Sequence, residues 1–145
     1  MNIYLACTVR GDRGAVISLR ELVRSLEAAG HTVLTRHLLD DNVETAESAL
    51  TEDQVYRRDI EWLEACDLLI ADASGSSFGV GFEVGYVLGR AERTNQRVLL
   101  LYRADRRHAI SRLIVGLTHT RCEVIAYETA TELVTKVSET VASRQ

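Results

Sequence analysis

Short apolar runs alternate with amphipathic stretches along the whole chain, and no other feature constrains its fold as strongly. Residues 3–6 read as a strand buried on both faces. Residues 15–29 then place Ile17, Leu22, Val23 and Leu26 on one helical face, with Gly30 as the stop. A short strand at 32–35 precedes a helix over 51–65, and a strand at 68–71 precedes a helix over 80–93. A strand at 98–102, a short helix at 110–115, a strand at 122–126 and a closing helix at 131–141 complete the series. Between them the polar, acidic stretch 40–48 reads as a loop or lid, and 75–81 as a Gly/Ser-rich turn. Strands that alternate with helices form right-handed βαβ units on a parallel sheet. The expected fold is α/β: a doubly wound, five-stranded parallel sheet of flavodoxin or Rossmann-like kind, in a single domain spanning 1–145. Ligands of such sheets bind beyond the carboxyl ends of the strands, at the switch point. The loops after strands one, three and four are therefore where chemistry is to be sought.

Composition narrows the partners. With 145 residues, 46 % of them hydrophobic, the chain can bury one core without disulfides or metals. A net charge of −4 argues against a nucleic-acid duplex or an anionic membrane surface, since both reward a basic face. A small anionic ligand needs only a few local cations. Cys7, Cys66 and Cys122 lack metal-ligand spacing, as do the dispersed histidines, so neither a metal nor a cofactor is expected. Scattered free thiols fit a reducing compartment, and a cytoplasmic location is expected. No run approaches the roughly 20 apolar residues of a membrane span.

The loop after strand one reads Cys7-Thr8-Val9-Arg10-Gly11-Asp12-Arg13-Gly14. Its hydroxyl, arginines and glycines ahead of a helix suit an oxyanion or phosphate cradle, although a polar turn with solvated arginines reads equally well. Cys7 could act as a thiolate there, but no histidine is near it in sequence. The loop after strand three, Ala73 to Glu83, carries three serines and three glycines into a helix and sets Glu83 in what reads as its first turn. The helix dipole favours an anion at that place; Glu83 is either a cap-stabilising residue or a carboxylate kept ionised for use as a nucleophile.

Asp59 is the anomaly. Val55, Trp62, Leu63 and Cys66 form the apolar stripe of the second helix, and Asp59 falls in its middle. An aspartate there either pairs with Arg57 or Arg58, caps a neighbouring element, or sits beside a second carboxylate that raises its pKa and keeps a proton on it. A glycosidase needs one ionised and one protonated carboxylate. Tyr4, on the first strand, is a core aromatic or a hydroxyl that orients Glu83.

Taken together, Ile3-Tyr4 with Thr8-Val9-Arg10-Gly11, then Asp59-Ile60-Glu61-Trp62-Leu63, then Ser77-Phe78-Gly79-Val80-Gly81-Phe82-Glu83, resemble the 2'-deoxynucleoside 5'-monophosphate N-hydrolases of the nucleoside 2-deoxyribosyltransferase superfamily. The resemblance implies that Glu83 attacks the anomeric carbon, that Asp59 protonates the leaving base, and that Tyr4 lies near the sugar. It places Thr8, Arg10, Gly11, Ser77 and Gly79 around the 5'-phosphate. Ser111 resembles the serine that completes this pocket from the neighbouring subunit, which implies a homodimer. Cys7 and Thr8 stand where that family has Gly-Ser, and Asp12 where it has a second glycine. The reading is hydrolysis of a (deoxy)nucleoside monophosphate; the alternatives are a deoxyribosyltransferase that passes the sugar to a second base, or a nucleotide-binding module without turnover.

Overall fold

The computed structural model describes residues 1–143, so the last two positions of the expected 1–145 domain lie outside the described residues. Strand β1 (Asn2–Ala6) is followed by helix α1 (Val16–Ala28), β2 (Thr32–Val33), α2 (Val43–Glu47), α3 (Glu52–Ala65), β3 (Leu68–Asp72), α4 (Phe78–Thr94), β4 (Arg97–Arg103), α5 (Arg112–Val115), β5 (Cys122–Tyr127) and α6 (Ala130–Ala142). Short 3-10 turns occupy Arg36–Leu39 and Ala104–Ala109. The strands form one sheet in the order β2-β1-β3-β4-β5, with every pairing parallel. Successive strands run outward in opposite senses from β1 and β3, so a crevice opens beyond their carboxyl ends.

Period-2 alternation divides the core between the two faces of the sheet. Ile3, Leu5, Ile70, Leu99 and Leu101 pack under α1 and α6, whereas Tyr4, Ala6, Leu69, Ala71 and Leu100 pack with Leu63 of α3 and Val80, Val84 and Val87 of α4. Tyr4 thereby faces α4. β2 is short, and Thr35 extends its work: the Thr35 hydroxyl donates to Leu5 O at 2.7 Å and accepts from Leu5 N at 2.9 Å. Each long helix has a defined limit. Thr51 and Gln54 form a capping box at the start of α3. Gly30, at φ 85°, follows α1, and Asn95, at φ 60°, closes α4 in the left-handed region.

Three local expectations change. The stretch 40–48 is not all loop, because residues 43–47 wind into α2. Ile17 is 70 % exposed; the buried stripe of α1 runs through Val16, Leu19, Leu22, Val23 and Leu26 instead. α4 begins at Phe78, with Ser77 as its N-cap, so Glu83 stands in the second turn and no acidic residue occupies the first. The dipole fades within one turn and does not keep Glu83 ionised. Among the described residues no helix is long and apolar enough to cross a membrane.

Candidate active site

The loop after β1, the N-terminus of α4 and the inner side of α2 and α3 line a cavity of about 630 Å³. Glu83 and Asp59 both line it. The Tyr4 hydroxyl donates to Glu83 Oε1 at 2.6 Å, with both groups sheltered beneath α4. Burial pushes the Glu83 carboxyl up to about 7; the Tyr4 hydrogen bond opposes this and the charge of Asp59 adds to it. Burial also holds the Tyr4 phenol far above its ordinary range, so it serves as a neutral donor.

Asp59 is paired with Arg58, one of the partners expected for it. Arg58 Nε donates to Asp59 Oδ1 at 2.9 Å, and the side chain of Asp59 remains 26 % exposed. Burial raises Asp59 above the usual aspartate range, against the lowering pull of Arg58. Glu83 has a hydroxyl for partner and Asp59 a guanidinium. Burial thus raises both carboxyls, opposed at Glu83 by a neutral hydroxyl and at Asp59 by a cation.

The loop after β1 forms the opposite wall. Thr8 is buried, and its Oγ1 accepts from Gly11 N at 2.8 Å. A β-carbon on Gly11 would stand 2.9 Å from Gly75 O, so glycine there lets the two loops approach. Arg10 lies at the cavity rim, its side chain 82 % exposed and 3.7 Å from Glu44. Ser77 and Gly79 bring the N-terminus of α4 to the same wall. That end of a long helix offers unpaired N–H groups and a positive dipole to an anion. Asp12 does not line the cavity. Its carboxylate accepts from Gly14 N at 2.7 Å and meets Arg106 at 3.2 Å and Arg103 at 3.8 Å, which neutralise it. Burial pushes the Cys7 thiol up to about 12, which removes it as a thiolate.

Ser111 is not brought to this cavity. It precedes α5, exposed and without a side-chain capping bond, and lines a separate groove of about 410 Å³ with Phe78, Phe82, Ile110, Leu113 and Ile114. Sequence reasoning missed Glu47, His37 and the role of Arg58. Arg58 donates through Nη1 and Nη2 to Glu47 at 2.9 and 3.2 Å, and lies 5.0 Å above the Trp62 ring. His37 Nε2 is 3.1 Å from Glu47 Oε1. Among the described residues no group of three or more His, Cys, Asp or Glu could hold a metal ion.

The chain is similar to known proteins in sequence and in fold. The model of the nucleoside 2-deoxyribosyltransferase family matches residues 3–137. A Thermofilum pendens protein named a 2'-deoxynucleoside 5'-phosphate N-hydrolase is 37 % identical over 137 residues, covering 94 % of this chain and 92 % of that one. The human 5-hydroxymethyl-dUMP N-hydrolase is 32 % identical, over 87 % of this chain and 71 % of its own. The structure of a Clostridium botulinum CMP N-glycosidase superposes with a TM-score of 0.70 at 22 % identity, covering 97 % of this chain and 99 % of that one, and shares the fold. On the match of the family model and of these relatives, the chain belongs to the nucleoside 2-deoxyribosyltransferase family.

Proposed function

We propose that this protein hydrolyses the N-glycosidic bond of (2'-deoxy)nucleoside 5'-monophosphates, releasing the free base and the sugar 5-phosphate. The observation that carries the reading is the Tyr4–Glu83 hydrogen bond of 2.6 Å, made from beneath a cavity that Glu83 and Asp59 both line. Glu83 attacks the anomeric carbon while the bond to the base nitrogen breaks, and Asp59 delivers its proton to that nitrogen. The Glu83 ester of the sugar is then attacked by water; Asp59 takes the water's proton, and Glu83 leaves as carboxylate. Tyr4 holds Glu83 in line and steadies its charge.

Thr8, Arg10, Ser77 and Gly79 line the cavity and receive the 5'-phosphate, and Gly11 shapes the loop that carries Thr8 and Arg10. The exposed guanidinium of Arg10 and the open N-terminus of α4 support that assignment. The names of the relatives, N-hydrolases of deoxynucleoside monophosphates, support the same substrate class. A homodimer is part of the reading. Phe78 and Leu113, 99 % and 81 % exposed, flank Ser111 on an apolar face that a second copy would cover, carrying Ser111 to its neighbour's phosphate. Three free cysteines, all with raised pKa values, suit a reducing cytoplasm.

The test is base release from the four deoxynucleoside monophosphates, their nucleosides and the ribonucleotides, each with and without a second free base. Free base with deoxyribose 5-phosphate, from monophosphates alone, is the expected result. A new nucleoside formed only with added base would make the protein a transferase, and nucleotide binding without any product would make it a binding module.

A further inference from the structure

Glu47 lines the cavity and has no part in the chemistry above, yet both its oxygens are engaged. It sits at the end of α2, 17 % exposed, and receives two hydrogen bonds from the Arg58 guanidinium. The same guanidinium turns Nε and Nη2 toward Asp59 Oδ1, at 2.9 and 2.8 Å, and rests on Trp62. One cation is thus divided between two carboxylates from different helices. We propose that Glu47 is a positioning residue, which grips the far side of Arg58 and so holds Asp59 toward the cavity as a proton donor.

The electrostatics follow from that geometry. Asp59 is faced by Arg58 on its own helix, Glu47 from α2, His37 from the 3-10 turn, Glu83 from α4 and Tyr4 from β1. Glu47 is the anion that competes for Arg58. Without it the full charge of the guanidinium would fall on Asp59, and an isolated Arg–Asp pair holds its carboxylate ionised. The grip comes from α2, a short helix over the rim, so the readiness of the acid is tied to the seating of that helix.

The proposal rests on Asp59 acting as the acid. The productive state, with Glu83 ionised and Asp59 protonated, is one tautomer of a singly protonated pair. Its share shrinks as Asp59 becomes the stronger acid. Base release is to be followed across pH for the full chain and for Glu47→Gln, Asp59→Asn, the double variant and Arg58→Gln. Glu47→Gln is expected to lower kcat roughly tenfold with KM moved less than about twofold, and to move the acid limb of kcat/KM about one pH unit lower. In the Asp59→Asn background that loss is expected to vanish, because Glu47 acts through Asp59. Arg58→Gln is expected to move the acid limb upward, and it carries the test if Glu47→Gln does not fold.

A rise in KM with kcat intact, an equal loss in the Asp59→Asn background, or an acid limb unmoved by Arg58→Gln would overturn the role of Glu47. Full activity in Asp59→Asn, or no base release by the unaltered protein, would instead overturn the reading on which the proposal rests.

Discussion

Tyr4 and Glu83 lie 79 positions apart in the chain and meet at 2.6 Å, where β1 runs beneath α4. The contact favours the ionised form of Glu83 against the burial that raises it to about 7. Removal of the hydroxyl in Tyr4→Phe should lift Glu83 further and reduce the share of the productive tautomer. Turnover near neutrality should fall about tenfold, and the alkaline limb of kcat/KM should move to higher pH. A pH–rate profile checks both; an unmoved limb would mean that Tyr4 does not act through Glu83.

The same burial makes Glu83 a liability to the fold. Its value rises from 4.5 in a free chain to about 7 in the protein, so the folded state binds the proton more tightly. That advantage is fully present below about pH 4.5 and is lost as pH climbs through about 7. Glu83→Gln, a neutral stand-in of the same shape, should therefore match the unaltered protein near pH 4. At pH 8 it should be more stable, by an amount on the order of 3 kcal/mol. Thermal melts at the two pH values test this, and equal melting points at pH 8 would place Glu83 in a better solvated site.

Arg10 and Asp12 stand two positions apart with opposite consequences for a phosphate. Arg10 is exposed at the rim, whereas Asp12 is turned away and neutralised by Arg103 and Arg106. Arg10→Ala should raise KM for a deoxynucleoside monophosphate about tenfold and leave the nucleoside nearly unchanged. Asp12→Asn should change KM for either by less than about twofold, since its charge is already paired. A large gain in monophosphate affinity in Asp12→Asn would show that the paired carboxylate still repels the substrate.

Much of the fold could be read from the chain because its apolar periods are unbroken. The run Leu68 to Ala71 is buried throughout, and a segment buried on both faces is what a central parallel strand requires. Asp59 was legible for the same reason, as a charge inside an apolar stripe. The start of α4 was not. Ser77-Phe78-Gly79-Val80-Gly81 carries two glycines, which read as a turn, and only tertiary packing of Val80, Val84 and Val87 extends the helix back to Phe78. Ile17 misled because it neighbours Val16 but lies 100° around α1 from it. The Arg58–Asp59 pair was within reach of the sequence, as neighbours on one helix, but Glu47 left no signal there, since it meets Arg58 only through the packing of α2 against α3.

Ser111 lies outside the cavity of its own chain, on the apolar groove beside the almost wholly exposed Phe78. If a second copy covers this face, the interface is two-fold and each site takes Ser111 from its neighbour. Leu113→Asp puts a charge on this exposed apolar face and should halve the mass measured by light scattering. The assignment of Ser111 itself is tested by mixing. Glu83→Gln has no nucleophile and Ser111→Ala a damaged phosphate pocket, so each alone should be slow with a monophosphate at low concentration. In a mixed dimer one site receives Glu83 from the Ser111→Ala chain and Ser111 from the Glu83→Gln chain, and is whole. Random reassortment should then restore about a quarter of the activity of the unaltered protein. If Ser111 serves its own chain, or no dimer forms, every site that keeps Glu83 also keeps the alanine, and mixing restores nothing.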